Sequence, residues 1–194
     1  MVATLSVMYD WGGSDGSPGN STTIDALGPP NLRFKTYDSS TIDTLYPIPI
    51  VSGQTKYSYW KQIYLKCVNA PATQIDNIKF YSDGSGFGTG ITLSVGLQMP
   101  TKNSGSSAGY QVADGTAGDS GTAMVGGHSS ISSKASVFSY TSVSPLACSI
   151  SEAGNVINAV NETTSYLVLQ MEVIDTATAG GLTAETLTFQ YDES

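Results

Sequence analysis

Gly118-Asp119-Ser120-Gly121 carries the residue types that surround a serine nucleophile, and His128, the single histidine, follows eight residues later. Acyl transfer needs an imidazole within hydrogen-bond reach of the serine and a carboxylate to orient that ring. Enzymes that use this tetrapeptide draw their histidine from far upstream, whereas His128 lies just downstream in a Gly/Ser-rich stretch and reads as a surface imidazole. The motif is therefore read as turn sequence, and no catalytic residue is assigned.

Metal chemistry meets a similar shortage. Tetrahedral zinc needs three or four His, Cys or carboxylate ligands, and His128, Cys67 and Cys148 lack partners at ligand spacing. Cys67 is in phase with Ile63 and Leu65, and Cys148 with Leu146 and Ile150, which places both in core positions as free thiols, a mutual disulfide being the alternative. Calcium stays open: Asp76, Asp83, Asp114 and Asp119 are hard oxygen ligands, and Asp83-Gly-Ser-Gly is flexible enough to wrap an ion. No run supplies the alternating acids of a dedicated loop, so plain turn chemistry is the competing reading. The run Gly84-Ser-Gly-Phe-Gly-Thr-Gly lies between strands and is followed by no lysine, unlike a phosphate loop.

Aromatic side chains offer binding chemistry instead. Trp11, Tyr46, Tyr57, Tyr59, Trp60, Tyr64 and Tyr81 fall in or beside extended segments. Three uses stay open for them: a sugar-stacking platform built on Tyr57, Tyr59 and Tyr81, a subunit contact, or ordinary packing. Trp11, Tyr57, Tyr59 and Trp60 are the interface candidates.

The elements that must position these groups are strands. Leu93, Val95, Leu97 and Met99 share one side of an extended segment, as do Leu167, Leu169, Met171 and Val173. Gly, Pro, Asn or Asp closes almost every run, and no stretch keeps a helical period. The pattern predicts an all-β, antiparallel β-sandwich. Strands are expected at Met1–Tyr9, Asn31–Tyr37, Tyr57–Val68, Gln74–Tyr81, Ile91–Met99, Ser136–Tyr140, Leu146–Ile150, Ser165–Ile174 and Glu185–Tyr191, with one short helix over 152–160. Gln74–Tyr81 and Ile91–Met99 read as neighbours joined by a glycine loop. Tyr46–Val51, with Pro47 and Pro49, reads as an edge or polyproline-like connection.

Residues 11–30 read as an extended arm or surface loop, and 101–136 as a long loop or an arm that orders against a partner. One domain is expected: 1–30 as N-terminal strand and arm, 31–194 as the sandwich. The 194-residue chain is 40% hydrophobic and 12% charged, too apolar for disorder and too interrupted for a membrane span. Its net charge is −8, and all its basic residues but Lys134 lie in the first 102 positions, which gives no clustered cationic surface for nucleic acid. Met1–Tyr9 reads as a strand, not as a secretory leader.

Asn31-Leu-Arg-Phe, Pro47-Ile-Pro-Ile, Tyr57-Ser-Tyr-Trp-Lys, Ile63-Tyr-Leu-Lys, Ile75-Asp-Asn-Ile-Lys-Phe-Tyr-Ser-Asp-Gly and the closing Leu182-Thr-Ala-Glu-Thr-Leu-Thr-Phe-Gln-Tyr-Asp-Glu resemble virion structural proteins of tailed bacterial or archaeal viruses. The resemblance covers about half of the chain, and 101–136 has no counterpart in it. It implies a jelly-roll-like capsid decoration or tail-associated protein, made in the host cytoplasm and carried on the virion. Its partners would be a major capsid or tail protein and further copies of itself, with no catalytic residues to carry over. The expected function is noncatalytic: decorating or reinforcing a capsid or tail through subunit contacts. A carbohydrate-binding β-sandwich module and a subunit of an extracellular filament or surface layer are the alternatives.

Overall fold

The computed structural model describes residues 2–24 and 32–194. Twelve strands follow in order: β1 (Thr4–Ser14), β2 (Ser17–Thr23), β3 (Lys56–Tyr57), β4 (Lys61–Asn69), β5 (Ile75–Ser82), β6 (Ile91–Gly96), β7 (Gly115–Thr116), β8 (Ser120–Gly121), β9 (Lys134–Ser136), β10 (Leu146–Ala147), β11 (Leu167–Val173) and β12 (Leu187–Glu193). Seven form one sheet in the order β2-β1-β4-β11-β6-β9, with β3 also paired to β11. A second sheet has the order β10-β5-β12, and β7 and β8 make a separate small hairpin. All pairings are antiparallel. Both terminal strands, β1 and β12, pair within the chain.

The two larger sheets pack face to face as the predicted antiparallel β-sandwich. Alternation puts Tyr9, Ile63, Leu93, Val95, Leu167, Leu169 and Met171 of the large sheet into one cluster with Phe80 of the small one. Leu65 and Cys67 join Ile75, Ile78 and Ile157 in an adjoining cluster. Ile75 and Ile78 are three residues apart, yet both face the core. Between them the β5–β12 register slips by one residue, and Asn77 takes the left-handed conformation at φ +48°. That residue is a β-bulge, which restores the inward phase.

The outer face of the large sheet is also buried. Trp60, Tyr64, Tyr166 and Val168 lie under Tyr110, Ala113, Met124 and Ile131. The Gly/Ser-rich segment expected to be a loop or partner-ordered arm is therefore a covering layer. Side chains fasten it: Gln62 Nε2 donates to Gln111 O at 2.6 Å, and Gln170 Oε1 accepts from Met124 N at 2.6 Å. Burying those amides in paired form avoids the penalty of an unsatisfied polar group.

Other expectations are corrected. The segment from Trp11 onwards is not an arm, since β1 runs to Ser14, turns at Asp15-Gly16 and returns as β2, with Trp11 opposite Asn20. Residues 25–31 lie outside the described residues. Leu32–Tyr37 joins no ladder, and Lys35 within it is buried. β5 and β6 belong to different sheets, because the small sheet takes β5 as its central strand. Ser136–Tyr140 gives β9's last residue and a 3₁₀ turn, and 152–160 gives only a 3₁₀ turn at Ala153–Asn155, broken by Gly154 at φ +78°.

Candidate interaction surface

Between Lys35 and Pro47 the chain makes a compact loop closed by its own backbone. Thr36 N donates to Tyr46 O at 2.9 Å, and Thr36 Oγ1 donates to Tyr46 O at 3.1 Å. Two buried lysines hold the loop from beneath. Lys35 Nζ donates to Thr41 O and Asp43 Oδ1, each at 3.1 Å. Lys61, pointing inward from the start of β4, donates to Ser39 O at 3.2 Å and to the Tyr9 hydroxyl at 2.8 Å. That hydroxyl in turn donates to Asp38, whose other oxygen accepts from Gly12 N at 2.7 Å.

The electrostatics follow from burial. Desolvation lowers the Lys61 ammonium to about 8, partly opposed by Asp38, and raises the Tyr9 phenol well above its ordinary value. The hydrogen bond from Lys35 holds the Asp43 carboxyl below the usual carboxylate range. Polar groups thus fill the underside of the loop.

Its outer side is apolar. Tyr37, Ile42, Leu45, Tyr46 and Ile50 are exposed, and the Tyr37 and Tyr46 rings stack with centroids 4.8 Å apart. Tyr46 has φ +56°, an unfavourable region for a bulky residue. Strain, stacking and exposure coincide at one residue. Five hydrogen bonds, from Lys35, Lys61, Tyr9 and Gly12, fix the loop beneath it.

The Gly118–Gly121 tetrapeptide supports this loop. Gly118 N donates to Thr36 Oγ1 at 2.9 Å, and Asp119 pairs with Lys56 at 2.6 Å. Ser120 Oγ accepts from Tyr57 N at 3.1 Å and donates to Gly121 O at 2.9 Å. A Cβ on Gly121 would lie 2.3 Å from Ser58 O, so close packing requires glycine.

His128 corrects the sequence reading, being 3% exposed. Its Nδ1 accepts from Ser130 N at 3.2 Å, so Nε2 carries the proton toward Gln62 Oε1, also at 3.2 Å. Burial lowers its pKa to about 4. The ring is a neutral fastener of the covering layer.

Of the four aromatic candidates, Tyr59 is 7% and Trp60 1% exposed, so both are core residues and neither presents a face for a sugar or a subunit. Trp60 Nε1 donates to Gln111 O at 3.3 Å. Trp11 is half-buried and donates to Thr22 Oγ1 at 3.0 Å. Tyr57 is also half-buried, with Lys134 Nζ 5.8 Å from its ring centre. The exposed pair is instead Tyr37 and Tyr46. The sequence showed both tyrosines but not the loop closure that brings them together.

Among the described residues, no three His, Cys, Asp or Glu side chains gather to hold a metal. Asp76 accepts from Gln74 at 2.7 Å, Asp83 caps its own turn through Ser85 N at 2.9 Å, and Asp119 is paired with Lys56. Cys67 and Cys148 are free thiols, the latter raised to about 12 by burial. No helix among the described residues is long and apolar enough to cross a membrane.

Comparisons with family models, curated proteins and solved structures give no match. The loop's own geometry therefore carries the functional reading.

Proposed function

We propose that this chain is a noncatalytic virion structural protein that decorates or reinforces a capsid or tail, and that the Tyr37–Tyr46 loop is its attachment surface. One observation carries the attachment: an exposed, stacked tyrosine pair on a loop fixed by buried Lys35 and Lys61. Rigid aromatic rings lose little conformational entropy on burial, and a pre-ordered loop avoids the ordering cost of association. The virion setting, the jelly-roll affinity and synthesis in the host cytoplasm rest on the resemblance over residues 31–84 and 182–193. In this reading the major capsid or tail protein is the partner.

Sedimentation of particles from the native source tests it. The wild-type chain is expected to travel with the particle, and the folded Tyr37→Ala/Tyr46→Ala double variant to remain in the supernatant. Recovery of the wild-type chain away from any particle would overturn the virion reading.

The same exposed phenols favour a carbohydrate-binding module as a second reading, with the site moved from Tyr57, Tyr59 and Tyr81 to Tyr37 and Tyr46. That reading expects glycan affinity from the isolated monomer, abolished by the same double variant.

A further inference from the structure

Asp10 leaves β1 on the outer face of the large sheet, beside Tyr64 and Tyr166, and among the described residues it is the one buried carboxylate. Three hydroxyls surround it. Ser21 and Tyr64 donate to Oδ1, the latter at 3.0 Å, and Tyr166 donates to Oδ2 at 2.5 Å. Lys102, at the start of the covering segment, reaches into the same pocket with its side chain 14% exposed. Its Nζ lies 3.9 Å from Asp10 Oδ2, 5.0 Å from the centre of the Tyr64 ring and 5.9 Å from that of Tyr166. At that distance it makes no hydrogen bond to the carboxylate, and it donates instead to Ser107 Oγ at 2.9 Å. A settled ion pair closes to about 2.8 Å, so an amine stands beside a buried carboxyl without being bonded to it. Desolvation lowers the Lys102 ammonium from its ordinary value, with Asp10 opposing the shift.

We propose that Lys102 and Asp10 join in an intramolecular amide bond, a covalent staple between β1 and the start of the covering segment. Inside the pocket the pair passes one proton from Nζ to Oδ2, because two neutral groups cost less to bury than two charges. The neutral amine attacks Asp10 Cγ, and the negative charge that develops on Oδ1 is met by the Ser21 and Tyr64 hydroxyls. Oδ2 then takes a second proton from the attached nitrogen and leaves as water beside the Tyr166 hydroxyl. One N–C bond forms and one C–O bond breaks, Nζ keeps a single hydrogen, and no other reactant is consumed. Holding amine and carboxyl together is worth an effective concentration on the order of 10⁵ M or more, which offsets the unfavourable equilibrium of amide formation in water. The staple would constrain the unfolded chain as a disulfide does, in a protein whose two cysteines are free.

Mass spectrometry of the full chain, purified folded and then denatured, tests the proposal. The intact mass is expected to fall short of the sequence value by one water. Trypsin should fail to cut after Lys102, and should leave the peptide that ends at Arg33 joined to the one running from Phe80 to Lys134. Lys102→Arg keeps the positive charge but lacks the nucleophilic amine, and it should recover the full mass. A wild-type chain of full mass overturns the proposal, as does a deficit that survives in Lys102→Arg. So does a deficit traced to a cyclised Asp15-Gly16, Asp83-Gly84 or Asp114-Gly115 with ordinary cleavage after Lys102. The wild-type mass and the joined peptide decide the matter even where the variant fails to fold.

Discussion

The Lys61 ammonium donates to the Tyr9 hydroxyl at 2.8 Å and lies 4.5 Å from the centre of the same ring. Tyr9 comes from β1 and Lys61 from β4, and the loop above them is held through Asp38 and Ser39. Fixing that loop from the sheet core makes its geometry sensitive to the charge of a single lysine.

Stability should therefore rise with pH just above neutrality. The unfolded lysine keeps its proton to about pH 10.5, whereas the folded one releases it near 8. Between these values the unfolded chain holds more protons, so raising the pH favours folding by about 1 to 1.5 kcal/mol from pH 8 to 9.5. Above about pH 10 the raised Tyr9 phenol reverses the trend, because only the unfolded tyrosine ionises. Urea unfolding across this range should show the rise in the wild type and none in Lys61→Met.

His128 gives a slope of the same sign in acid. Its neutral folded form has a pKa of about 4 against an ordinary 6.5, so the unfolded chain alone takes up a proton between those values. Stability is intact above pH 6.5 and is lost as pH falls toward 4, by about 2 kcal/mol from this residue. The difference between wild type and His128→Gln, measured by thermal unfolding at pH 7, 5.5 and 4.5, should shrink accordingly.

The Gly118–Gly121 turn separates a structural role from a nucleophilic one. Gly121→Ala forces a Cβ against Ser58 O and should destabilise by about 3 kcal/mol. Ser120→Ala removes the acceptor of Tyr57 N and should remove about 1 kcal/mol. Calorimetry of both variants checks the ranking, and equal effects would contradict the packing described.

Tyr46→Gly relieves a left-handed backbone but deletes the stack on Tyr37. These effects are each about 1 kcal/mol and opposite in sign, so the melting temperature should change by only a few degrees while particle association is lost. Parallel melting and co-sedimentation measurements separate folding from attachment.

Both thiols should stay silent to an exposed-thiol reagent until the chain unfolds, since Cys67 is buried and Cys148 is raised to about 12. Titration should then find two reactive groups in denaturant, and fewer than two would point to a disulfide.

The sandwich was legible because alternation in segments such as Leu167–Val173 and Leu187–Tyr191 fixes the inward side chains. The covering layer was legible only in part. Tyr64 and Val168 occupy the other phase of β4 and β11, as Trp60 and Tyr166 do just before them, and strands apolar on both phases belong under cover on both faces. Alternation read for one face alone missed that signal. Gln62 and Gln170 carried no signal of burial, because sequence does not reveal that a glycine-rich segment returns to pair with their amides. The tyrosine loop was hidden for a related reason: it is held from beneath by buried lysines, and a lysine is ordinarily read as surface. The β1–β2 hairpin did carry a signal, Asp15-Gly16, masked by the small polar residues around it.

The layer across β4 and β11 is held by amide side chains and packing rather than by a strand ladder, so it can peel away while the sheets stay zipped. Of the two tryptophans, Trp60 sits beneath that layer and Trp11 in the hairpin. A red shift confined to Trp60 emission would report partial opening well before global melting, giving the molecule a built-in optical gauge of its weakest seam.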